Sequence, residues 1–459
     1  MSYRPNARQT EGAIGVLQIK RSLVLTLLAV GGCGGSQGLD GVGMAGAPTG
    51  GMPATAAGGS PSETSAGSPS NPQAGSAPTT PSGGSANQAG AGGSSQVPTT
   101  QGGFKVTVSS ALAFGREDEM VELEWSAIVG SMPAATPETL VVKVVGGEEL
   151  PSQALDANGD KLWDSLIFLV KLAAAESITI EVSMGSPATV APRVLGQSRK
   201  SNVENDYYWE NDRVGYRVKA HGPVNNVDIF VKSTGKLVID KWYEYDFHED
   251  RGEGLDPYHI GERPGAGGSG LLVNGQWAHP ASYTSVKTLA SGPLRAEFEL
   301  TYNDYDAAGV SVKELKRVRF DAGSWLTRHE STYNLNGVAS VTAVGAISLP
   351  LSGSEVVLKK GWASVWGAAD VASAGSLGLA LVEVPGTNAT LEQVQSAKVG
   401  SSGASGEVFL SADVPSASSF SYYAGVGWSK GGFANKAAWE AYVEQFQQRL
   451  ASPLAVTLQ

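Results

Sequence analysis

Residues 295–302 read Arg-Ala-Glu-Phe-Glu-Leu-Thr-Tyr, a run in which polar and apolar side chains alternate. Alternation with a period of two places one set of side chains on each face of a β-strand. Similar short apolar runs, bounded by Gly, Pro, Asn and Ser, recur at residues 104–108, 120–125, 140–145, 177–182 and 355–359. We therefore predict an all-β protein that is dominated by a large antiparallel β-sandwich.

The folded part begins near Phe104 and is longer than one plain sandwich needs. We predict a small N-terminal β-sandwich over residues 104–195 and a large β-sandwich over residues 196–459. One helix is expected near the end, capped by Asn435 and stopped by Pro453. Its core-facing stripe is formed by five residues at helical spacing: Trp439, Tyr442, Val443, Phe446 and Leu450.

The first 33 residues have the pattern of a bacterial lipoprotein signal. Lys20-Arg21 precedes the short apolar run 22–30, which is too short to span a bilayer, and Gly31-Gly32-Cys33 resembles a lipobox. Residues 34–103 are rich in Gly, Ser, Ala, Pro and Thr and predict a disordered tether, although a glycosylated stalk has a similar composition. We expect a domain that is anchored by lipid at Cys33, in the periplasm or at the cell surface, and that contacts membrane only through this anchor.

Charge excludes one class of partner. The chain has 33 Lys and Arg against 44 Asp and Glu, and only four basic and three acidic residues precede Phe104, so the remainder has a net charge of −12. A domain this acidic lacks the basic surface that a phosphate backbone requires, and we expect no binding to nucleic acid.

The richest candidate site is the loop 242–270, in which two histidines, several carboxylates, arginines and tyrosines lie among glycines and prolines. His248 could act as a general base oriented by Asp250, and Tyr258 could exchange a proton. Arg251 or Arg263 could hold a carboxylate, while Trp242 and Glu253 are candidate ligand contacts. A solvated loop closed by internal salt bridges is the alternative. Metal binding by His248, Asp250, Glu253 and His259 is conceivable, but their spacing matches no recognised ligand set.

Two further clusters are candidates. In residues 325–330, Arg328 and Glu330 share one parity of a predicted strand, and Thr327 and His329 share the other. Either parity could line a cleft, and an outward salt-bridged face is the alternative. In residues 209–217, Trp209, Asn211 and Arg213 combine an aromatic ring with polar groups, as sugar sites do. A plain β-corner with an Asx turn explains the same residues.

No cofactor is predicted. Asp156, Asn158, Asp160 and Asp164 imitate the first half of a calcium loop, but the closing glutamate is absent, and a tight turn is the better interpretation. The sequence also lacks a Gly-x-Ser-x-Gly elbow, a phosphate-binding loop, a dinucleotide fingerprint and a Cys-x-x-Cys pair. Serine hydrolase, NTPase, Rossmann oxidoreductase and zinc-ribbon functions are therefore set aside.

Four motifs in order resemble the bacterial family known as domain of unknown function 4861. They are residues 208–217, the loop 248–258, the glycine run 265–268 and residues 422–430. The resemblance covers roughly Phe104 to the C-terminus. It implies a fold similar to the galactose-mutarotase-like supersandwich and a place near the degradation of polysaccharides and uronic acids. The same fold serves epimerases and lyases, so it does not decide the function.

Our leading hypothesis is an extracytoplasmic carbohydrate-active enzyme that acts on uronate-containing glycans by β-elimination. Arg263 or Arg328 would neutralise the uronate carboxylate, and His248 and Tyr258 would transfer protons. His329 is a second candidate for proton transfer. The alternatives are a non-catalytic glycan-binding lipoprotein and a sugar epimerase of the mutarotase type.

The lipobox leads to a first prediction. The variant Cys33→Ser should release the protein from membranes without unfolding it, because the anchor is an acyl chain that shares no core with the domain. Membrane fractionation with circular dichroism measures both properties. A variant that still sediments with membranes would show that the domain itself is the anchor.

Overall fold

The computed structural model describes residues 102–200, 205–348, 352–395 and 406–459. Cys33 and nearly all of the predicted tether lie outside these ranges. Within them, the chain is mostly antiparallel β-sheet. No helix in these ranges combines the length and the apolar character that a membrane span requires.

The N-terminal part forms two small sheets around their own apolar core. Its elements are β1 (Phe104–Ser109), β2 (Arg116–Glu124), α1 (Trp125–Ser131), β3 (Leu140–Val144), β4 (Glu149–Leu150), β5 (Ser152–Leu155), β6 (Ser165–Leu172) and β7 (Ser177–Met184). One sheet contains β1, β7, β3 and β4, and the other has the order β2-β6-β5. Alternating side chains such as Val106, Val108, Ile180 and Val182 fill the space between them.

A second group of strands carries the histidine-rich loop. Its elements are β8 (Val194–Lys200), β9 (Asn205–Asn211), β10 (Val214–Lys219), β11 (Asp228–Lys232), α2 (Ile239–Trp242) and β12 (Gly254–Leu255). These strands form one sheet in the order β12-β11-β10-β9-β8. The loop leaves the sheet at α2 and returns at β12.

The remaining strands build the large sandwich. They are β13 (Ala266–Val273), β14 (Gln276–Ala278), β15 (Ser285–Ser291), β16 (Arg295–Thr301), β17 (Tyr305–Ala307), β18 (Val310–Asp321), β19 (Leu326–Leu335), β20 (Ser340–Ser348), β21 (Ser352–Lys359), β22 (Trp362–Ala368), β23 (Ser376–Glu383), β24 (Thr390–Gln395), β25 (Gly406–Pro415) and β26 (Ser418–Trp428). Helix α3 (Lys436–Ala451) follows β26, and the last strand, β27 (Ala455–Leu458), belongs to the N-terminal sheet. The largest sheet has the order β15-β16-β18-β19-β26-β23-β22-β21, and a second sheet has the order β14-β13-β20-β25-β24.

The predicted all-β class, with a large antiparallel sandwich and one C-terminal helix, is confirmed. The short helices α1 and α2 were not predicted. Strand β27 returns to the N-terminal part and pairs with β1, from Val106 opposite Leu458 to Ser109 opposite Ala455. The boundary at residue 195 stays a prediction.

Helix α3 covers part of the outer face of the largest sheet. The Asn435 side chain caps the helix by accepting a hydrogen bond from the backbone N–H of Ala438 at 3.0 Å. Trp439 is fully buried and lies against Gly378 and Gly427, where any Cβ atom would come within 2.5 Å of the indole. The two glycines therefore make the groove that holds the helix on the sheet.

This contact predicts the effect of truncating the indole. Trp439→Ala should lower the free energy of unfolding by about 3–5 kcal/mol, because the groove between the glycines cannot close around a methyl group. Leu162→Ala is the control, since that leucine is 68% exposed and its loss should cost under about 0.5 kcal/mol. Equal denaturation midpoints for the two variants would show that the helix is not held by this contact.

Candidate functional site

The histidine-rich loop is fixed to its sheet by close backbone contact at Gly254. This residue has φ +127, and a Cβ atom there would lie 2.0 Å from the carbonyl oxygen of Val231. Only glycine tolerates that approach. The loop therefore passes directly over the end of strand β11.

Beneath the loop, one buried arginine holds three aspartates. The Arg217 guanidinium donates to Asp228 at 2.7 Å, to Asp256 at 3.1 Å and to Asp206 at 3.5 Å, and its face packs 4.6 Å from the Phe247 ring. Burial alone would lower the pKa of Arg217, but the charges of these carboxylates outweigh it and raise the pKa. The arginine therefore stays charged and links strands β9, β10 and β11 to the loop.

Asp256 is the carboxyl group in this cluster that resists ionisation. Its side chain is 1% exposed, and burial together with the neighbouring charge of Asp228 raises its pKa well above the ordinary value, against the opposing effect of Arg217. Arg217 contacts three carboxyl groups here, and the charge of Lys219 opposes the rise in the Asp256 pKa less strongly than Arg217 does. Asp256 is therefore suited to keep a proton.

We call the hollow above this cluster the histidine pocket. Its volume is about 380 Å³, and its polar walls are formed by Arg217, Lys219, His221, Asp228, His248, Asp256, Tyr258 and His259. Three histidines, Arg217 and Lys219 face the carboxyl groups of Asp228 and Asp256 on these walls. With the histidines neutral, two cations meet two carboxyl groups, so the charges of the pocket balance, whereas the chain as a whole has a net charge of −11.

His248 and His259 stack in parallel on one wall, with ring centroids 5.3 Å apart and an angle of 1°. The Nδ1 atom of His248 lies 2.9 Å from Asp246, and its Nε2 atom lies 3.8 Å from Asp256. The His248 side chain is 40% exposed. It also borders a neighbouring hollow of about 420 Å³ that is lined by Asp246, Asp250 and Lys430.

The carboxylate that contacts His248 is Asp246, which corrects the expectation for Asp250. Asp250 instead accepts the backbone N–H groups of Gly252 at 2.8 Å and Gly254 at 3.2 Å, as the first residue of a tight turn. Asp246 and Asp250 both lie two residues from His248 in the chain, so sequence spacing does not distinguish them. The turn geometry assigns Asp250 to the backbone.

Two other predicted loop residues stabilise the loop. Trp242 is 1% exposed and donates its indole N–H to Glu253 at 3.4 Å, and Glu253 also forms an ion pair with Lys241 at 3.0 Å. The Trp242 ring packs on Phe230. Trp242 therefore has almost no surface with which to touch a ligand.

Tyr258 and Arg263 lie near an acid that sequence reasoning missed. Tyr258 is 2% exposed, its hydroxyl faces Ser348 without reaching hydrogen-bond geometry, and burial raises its pKa. Glu407, the strand partner of Ser348, is fully buried with both carboxylate oxygens unpaired. Burial raises the pKa of Glu407 to about 7, and the charge of half-buried Arg263 opposes that rise.

Alternate residues of strand β19 point to opposite faces of the sheet. Arg328 and Glu330 lie on the outer face, bonded to each other at 2.8 Å, and they do not line the histidine pocket. His329 points into the sandwich, where it is fully buried and stacked on Tyr422, and neither of its ring nitrogens has a hydrogen bond. Burial and the charge of nearby Lys316 hold the pKa of His329 well below its ordinary value.

The three candidate residues at positions 209–213 make contacts that stabilise the fold. Trp209 is fully buried between Tyr216 and Phe298 and donates to Thr327 at 3.0 Å. The Asn211 carbonyl oxygen accepts the backbone N–H groups of residues 213 and 214, which is an Asx turn. Arg213 is exposed and pairs with Asp118 at 3.3 Å. None of these three residues lines the histidine pocket.

Residues 156–164 also form a tight turn. Asp156 accepts three backbone N–H groups, from residues 159, 160 and 161, and Asp164 accepts the N–H of Ala157 at 2.7 Å. The carboxylate oxygens of Asp156 and Asp164 that accept these bonds are thus already occupied by backbone N–H groups. In the described ranges, no group of three or more His, Cys, Asp or Glu side chains has a metal-binding arrangement.

Fold and site together define an antiparallel β-sandwich protein with a histidine-lined pocket on the sheet β12-β11-β10-β9-β8. The sequence profile of the domain of unknown function DUF4861 matches residues 108–456, which is most of the chain. The chain therefore belongs to this family, as the sequence motifs predicted.

The chain is similar to known proteins at two levels. The uncharacterized protein P7 of Formosa agariphila is 28% identical, over 77% of this chain and 93% of that protein. Two Enterococcus faecalis structures, an alpha-mannosidase and a protein in glycosyl hydrolase family 38, share 9% identity, with TM-scores of 0.45 and 0.40. They match 78% of this chain, which spans only 46% and 47% of their lengths.

The buried imidazole of His329 leads to a prediction about pH. A histidine that is neutral in the folded state stabilises the fold fully above its unfolded pKa of about 6.5, and this stability is lost as the pH falls. Relative to His329→Leu, the wild-type protein should lose about 1.4 kcal/mol per pH unit below pH ~6.5. Urea denaturation of both proteins at several pH values measures the difference. Parallel pH profiles would mean that the folded protein accommodates the imidazolium.

Proposed function

We propose that the histidine pocket binds an acidic sugar residue and cleaves uronate-containing glycans by β-elimination. The observation that carries the proposal is the grouping of three histidines with Lys219 on the pocket walls, within a chain whose net charge is −11. A hollow whose charges balance repels a carboxylate less than the rest of an acidic surface does, and a protonated histidine on its wall would attract one. Sugar hydroxyls would find further donors and acceptors on the same walls.

β-Elimination requires a base, a cation and an acid. His248 would take the C5 proton of the uronate, because its ring borders the pocket and Asp246 fixes its Nδ1 atom at 2.9 Å. Lys219 would face the carboxylate and stabilise the charge that develops there. The C4–O bond would then break as the C4–C5 double bond forms.

The leaving oxygen needs a proton from a third group. Tyr258 was the candidate, but its raised pKa makes its hydroxyl a poor proton donor. His259 stacks on His248, and its side chain is 64% exposed, so we assign this role to its protonated form. The Tyr258 hydroxyl is buried beside Ser348, so only the ring of this residue would border the pocket.

The location of the protein is part of the same proposal. A polysaccharide cannot enter the cytoplasm intact, so an enzyme that cleaves one must meet it outside. Lipid attachment at Cys33 with a flexible tether would hold the domain at the cell envelope, where it can reach such a polymer.

Removal of the base tests the proposal. The full chain in detergent should release an ultraviolet-absorbing unsaturated product from at least one of pectate, alginate or hyaluronan. His248→Ala should lower kcat by about two to four powers of ten, which is the usual contribution of a positioned base. Because the ring is partly exposed, the melting temperature should stay within a few degrees of the wild type.

Two further variants separate the orientation of His248 by Asp246 from proton transfer by His248 itself. Asp246→Asn should lower kcat less than His248→Ala does, and His279→Ala, outside the pocket, should leave kcat unchanged. Full activity in His248→Ala would exclude it as the base. Binding of a polymer without any unsaturated product would instead make the protein a glycan-binding lipoprotein.

A further inference from the structure

A row of three charged residues and one tyrosine crosses four strands on the outer face of the largest sheet. Glu297, Arg319, Arg328 and Tyr423 are successive cross-strand partners on β16, β18, β19 and β26. Cross-strand partners project from the same face of a sheet. The row therefore places two arginines directly opposite each other, and like charges in that position are unfavourable.

Neighbouring carboxylates compensate this charge only in part. Arg317 and Arg319 both donate to one oxygen of Glu297, at 2.7 and 3.0 Å, while Arg328 donates to Glu330 at 2.8 Å. Three guanidinium groups thus share two carboxylates. The Nε atom of Arg328 is buried without a hydrogen-bond partner, so this arginine retains an unused donor.

A cavity opens beside these arginines. Arg319 and Arg328 line two adjoining hollows of about 240 and 60 Å³, which we call the arginine cleft. Tyr423, Tyr442 and Phe446 provide an aromatic wall. Ligand pockets for larger molecules have volumes of roughly 300–1,000 Å³, so this cleft suits a single sugar ring.

The other charged residues of the cleft are already paired. Glu122 and Asp321 bind Arg295, at 3.0 and 2.6 Å. Asp118 binds Arg193 at 2.8 Å, Glu117 binds Lys171 at 2.8 Å, and Glu119 lies 3.6 Å from Arg449. Two of these pairs, Glu122 with Arg295 and Glu119 with Arg449, join the N-terminal sandwich to the large one. They do not explain the opposed pair Arg319 and Arg328.

We propose that the arginine cleft is a second binding site, which takes a sugar that bears an oxyanion, either a uronate carboxylate or a sulfate ester. The oxyanion would lie between Arg319 and Arg328, where it relieves their repulsion and accepts hydrogen bonds from their terminal guanidinium N–H groups. The sugar ring would pack on the aromatic wall. The histidine pocket shares none of these lining residues, so the cleft is a separate site. The sugar part of the ligand rests on the proposed function, whereas the oxyanion part rests on the arginines alone.

Titration calorimetry on the full chain in detergent tests the cleft. The background carries His248→Ala to suppress turnover, and the probes are digalacturonate, galactose 6-sulfate and neutral galactose. Arg328→Gln and Arg319→Gln should each weaken ligand binding at the arginine cleft by about 10- to 100-fold, because each removes a charge-assisted hydrogen bond. The control is Arg199→Gln, which removes an arginine that pairs with Asp240 and lines neither site.

The number of sites separates this proposal from the proposed function. If both hold, the control binds two digalacturonates and each cleft variant binds one. If only the cleft binds sugar, the control binds one and the cleft variants bind none. Preference for the sulfated probe would identify a sulfate ester as the ligand group. The same number of sites in the control and in both cleft variants, or equal binding of neutral galactose, would overturn the proposal.

Folding is measured separately from binding. Arg319 also pairs with Glu297, whose side chain is 1% exposed, so Arg319→Gln is expected to lower the denaturation midpoint through the loss of that pair. Arg328→Gln removes the repulsion and leaves Glu330 hydrogen-bonded to Ser421, so it should keep the wild-type midpoint or raise it. A midpoint lowered in Arg328→Gln would show that this arginine serves the fold, and would also overturn the proposal.

Discussion

The candidate site depends on the buried charge cluster around Arg217. A buried guanidinium is tolerated only when carboxylates compensate it, and removing one member of such a cluster leaves an uncompensated charge. Here the carboxyl groups come from β9, from β11 and from the loop, so their hydrogen bonds to one arginine fix the position of the loop. The stacked histidines rest on this cluster, and the shape of the histidine pocket follows from it.

Strands β18 and β19 serve two different purposes on their two faces. Their inner face carries a polar network inside the sandwich, in which Glu314 accepts hydrogen bonds from Ser269 and Ser331, both at 2.7 Å. Lys316 donates to the carbonyl oxygen of Gly267, and burial lowers its pKa to about 8. The outer face carries the arginine cleft. Because alternate residues point in opposite directions, a short stretch of chain contributes both to the interior and to a ligand surface.

The two proposed sites complement each other chemically. The histidine pocket combines a cation with imidazoles that can transfer protons, whereas the arginine cleft offers fixed charges and aromatic rings without an imidazole on its walls. A polymer of repeated acidic sugars could contact both sites, each through a different sugar unit. Family membership does not decide between catalysis and binding, because one sandwich fold supports both.

The sequence alone determined the strands, the C-terminal helix with its Asn435 cap, and the concentration of titratable groups in the loop. These features follow from local patterns, because they depend on residues that are neighbours in the chain. Alternation also showed that Arg328 and Glu330 share a face. It could not show which face is buried, because a strand has the same period whichever side meets the core. Tertiary packing placed Trp209 in the core and His329 inside the sandwich. It also brought Arg217, His221 and Asp256 to one pocket and left Glu407 unpaired, because these contacts join segments that are distant in sequence.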